Sequence, residues 1–119
     1  MPSKPKTRRA KFVNRVIEQL EYHGFLVFEV ANPRSAGSDL VAIAPHGLTC
    51  LVKCKPNVST MREEEAALFL SLARAQNVPA ILAYRDEIGA IPGAPIFKHL
   101  RSVRFEEEYW HPGTAESGN

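Results

Sequence analysis

No stretch of this 119-residue chain is apolar over the roughly 18 to 20 residues that a membrane helix needs, so the sequence offers no helical span. Cysteine is nearly absent. Cys50 and Cys54 are the only two, and both fall in one apparent strand. At about 3.3 Å per residue their Cα atoms lie roughly 13 Å apart, too far for a disulfide, which needs less than about 7 Å. With no second Cys/His pair nearby, tetrahedral zinc has no support either, and the two read as small buried apolar residues. The start, Met1 to Lys11, is basic but lacks the apolar segment of a secretory signal, so a cytoplasmic or similarly reducing location is expected. P-loop, GxGxxG, HExxH and GxSxG patterns are missing, which removes the basis for nucleotide hydrolysis and acyl transfer. There is no internal repeat.

What is present is an ordinary globular composition, 45% hydrophobic, long enough for one domain with a modest core. The net charge of +2 hides an uneven distribution. Residues 1–17 hold Lys4, Lys6, Arg8, Arg9, Lys11 and Arg15 and no acid, while acids gather at Glu63-Glu64-Glu65 and Glu106-Glu107-Glu108. Such asymmetry suits a surface that meets a polyanion on one side.

Residues 1–6 read as a flexible basic arm, 7–110 as a single domain and 111–119 as a disordered polar tail. From an N-cap at Thr7 to a stop at Gly24, Val13, Val16, Ile17 and Leu20 recur at the spacing of an amphipathic helix, with Arg8, Lys11 and Arg15 opposite. Phe25 to Ala31 reads as a strand, and Asn32 to Gly37 as a loop. Ser38 to Ala44 and Leu48 to Lys55 form an antiparallel hairpin around Pro45-His46-Gly47. Glu63 to Ala75 is a second helix, and Pro79 to Tyr84 a buried strand. Asp86 to Pro95 reads as a loop, and Ile96 to Trp110 as one short final strand or helix. The order α-β-β-β-α-β predicts an α/β fold, a mixed central sheet with a helix on each side.

The hairpin is where chemistry concentrates. A turn near Gly47 pairs residues whose numbers sum to about 93 or 94, which sets Asp39 across from Cys54 or Lys55. Alternation puts Lys53 and Lys55 on one face and Cys50, Val52 and Cys54 on the other. A cross-strand ion pair of Asp39 with Lys55 would be worth about 0.2 to 1 kcal/mol. Two lysines side by side gain nothing as plain strand residues, but a phosphate would satisfy them.

The segment Leu20-Glu21-Tyr22-His23-Gly24-Phe25, the run Arg34-Ser35-Ala36-Gly37-Ser38-Asp39-Leu40-Val41-Ala42 and the Lys-x-Lys strand together resemble the archaeal-type Holliday junction resolvases of the PD-(D/E)XK nuclease superfamily. The resemblance spans about residues 8–85 and implies a restriction-endonuclease-like fold and Mg²⁺- or Mn²⁺-dependent cleavage of branched DNA by a homodimer. It casts Asp39 as the metal-binding carboxylate, Lys55 as the catalytic lysine and the backbone carbonyl of Cys54 as a further metal ligand. The chain departs from the pattern twice. Lys53 stands where the second metal-binding carboxylate belongs, and Val13, Asn14 and Arg15 supply no acid where the first helix should. Glu18, Glu29 and Glu63 to Glu65 are the candidates for a relocated carboxylate.

Candidate DNA contacts are Arg8, Arg9 and Lys11, the loop residues Arg34 and Ser35, and Arg62 and Arg85 around the second helix and following strand. His23 reads as a helix-end packing residue and His46 as a solvated turn residue. Three readings follow: a structure-specific endonuclease weakened or disabled by Lys53, a non-catalytic nuclease-fold module for nucleic acid, and an interaction domain that kept only the fold.

Overall fold

The computed structural model describes residues 8–31, 37–56, 61–85, 94–102 and 107–115. Helix α1 (Arg8–Tyr22) leads into strands β1 (Leu26–Glu29), β2 (Leu40–Ile43) and β3 (Thr49–Cys54). Helix α2 (Glu63–Gln76) follows, then β4 (Ala80–Arg85), β5 (Pro95–Leu100), β6 (Glu107–Trp110) and a last turn of helix, α3 (Pro112–Ala115). The six strands lie in sequence order in one sheet. Among the described strands only β3 and β4 are parallel. That is the pair joined through α2, as a parallel pair requires a crossover.

The expected mixed sheet with a helix on each face is therefore present. On one face α1 buries Phe12, Val16 and Leu20 against Leu40, Val52, Ile81 and Phe97. On the other, Ala66, Phe69, Leu70 and Ala73 of α2 cover Leu51, Ala80, Leu82 and Leu100. The buried positions of α2 keep the i, i+3, i+4, i+7 spacing of an amphipathic helix. Leu68, on the same helix, is 46% exposed. Burial of each large core side chain contributes about 1.5 to 3 kcal/mol. Among the described residues no helix is long and apolar enough to cross a membrane.

Both long helices end in the same device. At α1, Phe25 N–H reaches Leu20 O and Gly24 N–H reaches Glu21 O, with Gly24 at φ +87°. At α2, Val78 N–H reaches Ala73 O and Asn77 N–H reaches Arg74 O, with Asn77 at φ +55°. These are Schellman closures, which need a residue that tolerates the left-handed region. The predicted stop at Gly24 is thus realised, while Thr7 lies outside the described residues.

Two expectations are corrected. The hairpin pairs Leu40 with Val52 and Ile43 with Thr49, a sum of 92 rather than 93 or 94. The reason lies in the turn. Ala44 N–H bonds Leu48 O across a loop of Pro45, His46 and Gly47, and Gly47 takes φ +95° as the last loop residue, not at the centre. The stretch after the loop 86–95 also holds two strands, β5 and β6, in place of one short element. Residues 86–93 lie outside the described chain. The described chain runs past Trp110 into α3, where Pro112 is buried and His111 packs edge-on against His23 at 5.1 Å.

Candidate active site

Asp39 sits immediately before β2, and four neighbours, Gly37, Ser38, Val52 and Cys54, fix it there. Gly37 takes φ +79°, and a Cβ on it would lie 2.8 Å from the Leu68 side chain, so a side chain here would strain the backbone and displace Leu68 of α2. Ser38 is buried, its hydroxyl 3.0 Å from Leu40 O and 3.2 Å from Val52 O. Asp39 N–H then donates to Val52 O at 3.0 Å, although Val52 already pairs with Leu40. The ladder slips by one residue, as in a β-bulge. The Asp39 carboxylate takes over as the partner of the next peptide, accepting Cys54 N–H on Oδ2 at 2.6 Å. A buried acid, 6% exposed, is thus aimed at the peptide between Lys53 and Lys55.

The two lysines share a face, as alternation predicts, and both turn to one acid. Lys55 Nζ lies 3.2 Å from Glu65 Oε2, and Lys53 Nζ 3.8 Å from the same oxygen. Lys55 thus has Glu65 as an ion-pair partner, while the Asp39 carboxylate meets the peptide of Cys54, one of the two residues the hairpin was expected to set across from it. Glu65 belongs to the first turn of α2, where an acid is favoured by the helix dipole. Partial burial alone would raise its carboxyl. The hydrogen bond from Lys55, the charges of Lys55 and Lys53 and the Arg62 backbone N–H outweigh that and hold it below the usual carboxylate range. The reach from Glu65 back to Arg62, the N-cap, is one half of a capping box.

Glu65 is therefore the one relocated-carboxylate candidate that approaches the lysines. Glu18 lies on α1, and Glu29 follows the alternation of Val27 onto the α1 side, so both belong to the opposite layer. Glu63 and Glu64 are exposed on α2. Arg62 is exposed at the start of α2, and Arg85 closes β4 half-buried. Lys11 is exposed on α1. Arg8 and Arg9 open that helix, but their side chains, like Arg34 and Ser35 altogether, lie outside the described residues. His23 packs against Tyr22 and His111, and His46 is exposed in the turn. Neither Cys50 nor Cys54 is in a disulfide, both are buried, and burial pushes the Cys50 thiol up to about 12. Two residues carry weight that spacing alone did not reveal: Ser38 as the pin of the bulge and Glu65 as the shared counter-ion.

The site does not suit the Mg²⁺ or Mn²⁺ that the resemblance implies. A hard divalent cation wants several oxygen ligands carrying net negative charge. Here Glu65 already faces two ammonium groups, Lys53 and Lys55, and the Asp39 carboxylate accepts the Cys54 N–H, so the four side chains named bring as much positive as negative charge. The Cys54 peptide does face Asp39, but a lysine occupies the place of the second ligand. Among the described residues no group of three or more His, Cys, Asp and Glu side chains is placed to hold a metal.

No family model matches the sequence, and no curated protein matches it. The fold is similar to that of the Holliday junction resolvase Hjc of the archaeal hyperthermophile Archaeoglobus fulgidus, with a TM-score of 0.61 and 17% identity. The match covers 82% of this chain and 75% of that one. At this identity the likeness establishes a shared α/β fold and nothing finer.

Proposed function

We propose that this chain is a DNA-binding protein of resolvase-like fold that holds branched DNA, and that its ion cluster has replaced metal-dependent hydrolysis. The observation that carries the reading is the placement of Lys53 and Lys55 on Glu65 beside the pinned Asp39. An ammonium stands in the cluster where a divalent ion would need a ligand. The resolvase-like fold and the acid-free start of the chain support DNA as the partner. Arg8, Arg9 and Lys11 on the first helix, with Arg34, Ser35, Arg62 and Arg85, are the proposed phosphate contacts. A two-fold dimer is the proposed working form, because a four-way junction is itself close to two-fold symmetric.

A second reading is favoured by the reach of Glu65: a cleaving enzyme in which Glu65 serves as the relocated carboxylate. One experiment separates the two. A labelled four-way junction is titrated with protein at rising salt, and bound samples are incubated with Mg²⁺ or Mn²⁺. The binding reading expects affinity that falls steeply with salt, as phosphate contacts release counter-ions, and intact strands throughout. Metal-dependent nicks that vanish in Asp39→Ala and Glu65→Ala would establish the second reading instead. Junction affinity indifferent to salt would remove both.

A further inference from the structure

The strand register carries the lysine face beyond the ion cluster. Lys53 pairs with Leu82, Leu82 with Lys98 and Lys98 with Tyr109, so one row crosses four strands on the α2 side of the sheet. At about 4.8 Å per strand the row spans roughly 14 Å. In the next row on the same face, Lys55 follows the Cys54–Ala83 pair and lies beside Tyr84. Lys98 connects the two rows. Its ammonium stands 5.3 Å from the Tyr84 ring centre and 4.9 Å from that of Tyr109. Leu82 between them is sealed under α2, whereas Tyr109 is 80% exposed on the edge strand.

A tyrosine so exposed adds little to the core, yet its ring is held in place by a cation from the neighbouring strand. An exposed aromatic face with an ammonium beside it, continuous with Lys55, matches what a single strand of nucleic acid offers. Bases stack on the ring, and the phosphate between them meets the positive charge. Duplex DNA, whose bases are already stacked, cannot use the ring in this way.

We infer that Tyr109 is the stacking plate of a platform for the bases of an unpaired DNA strand, with Lys98, which rests on the half-buried Tyr84, as its charge. The inference rests on the DNA-binding reading above and narrows it, from DNA in general to DNA with an unpaired segment next to the ion cluster.

The test uses the full chain and fluorescence anisotropy with three probes: labelled oligo(dT) of about 16 nucleotides, within single-strand site sizes, an abasic oligomer of the same length and a blunt duplex. Tyr109→Ala should weaken oligo(dT) binding about 5- to 150-fold, the range of one base–aromatic stack, and leave duplex binding unchanged. Tyr109→Phe, which keeps the ring, should bind oligo(dT) within about two-fold of the parent. The abasic oligomer should bind parent and Tyr109→Ala equally, because it has no base to stack. Oligo(dT) binding indifferent to Tyr109→Ala, or an equal loss on the abasic strand, would overturn the platform while duplex or junction binding left the DNA-binding reading standing. Absence of binding to every DNA probe would overturn both.

Discussion

Replacing Lys53 by glutamate reverses the logic of the ion cluster, and the consequences can be worked from its four charges. Asp39, which binds the peptide between the two lysines, and Glu65, which pairs with both, count two charges against the two of Lys53 and Lys55. Lys53→Glu leaves three carboxylates and one ammonium, a net of −2, which is the charge a divalent cation neutralises. Without metal, the variant loses one cation and gains an acid next to Glu65 in a buried place. Breaking a buried pair costs about 3 to 5 kcal/mol, and Glu65 keeps about a third of its side chain in water, so a loss of about 2 to 3 kcal/mol is expected after screening. Metal should reverse it. At a concentration about a hundred times Kd, binding to the native state alone adds about 2.7 kcal/mol, or roughly 10 °C in Tm for a domain of this size. Thermal unfolding followed by circular dichroism, with and without Mn²⁺, reads both effects. The parent should be the more stable protein in chelator and should be insensitive to Mn²⁺. Lys53→Glu should start lower and climb with the metal. Equal Mn²⁺ responses in the two proteins would refute the claim that Lys53 stands where a cation would bind.

The Glu65 carboxyl, held below its ordinary value of 4.5, contributes stability that is present above that value and lost as pH falls through the lowered one. Glu65→Gln should therefore flatten the decline in the urea midpoint on acidification, and a parallel decline in both proteins would contradict it. Gly37→Ala should cost about 1 to 3 kcal/mol from the left-handed backbone and the contact with Leu68. Adding Leu68→Ala should recover only the steric part in denaturant titrations. The Cys50 thiol, pushed up to about 12 by burial, should resist alkylation near pH 8 in the folded protein and react once urea unfolds it.

Much of the architecture was legible because its signals are local. The amphipathic stripe of α1, the glycine that ends it and the two hairpin strands follow from periodicity and turn chemistry. That Lys53 and Lys55 share a face follows from the two-residue period of a strand alone. The register was less readable. It hinges on whether Gly47 sits at the centre or the end of the turn, and a one-residue slip at Asp39 is invisible in composition. Three consecutive glutamates begin α2, and helix phase, set by packing of Ala66, Phe69 and Leu70, decides that Glu65 alone turns inward. Lys98 and Tyr109 stayed hidden for another reason. Strands β5 and β6 are short, follow a Gly/Pro-rich stretch and carry Lys98, Glu107 and Glu108, so their alternation is blurred.

The single crossover has a consequence in time. Every neighbouring pair of strands except β3 and β4 is antiparallel and close in sequence, and such pairs close small loops early. The β3–β4 pair must wait for the whole α2 segment to fold over the sheet, and Glu65 travels on that segment. If the local pairs close first, the two lysines meet Glu65 only when this long loop has closed.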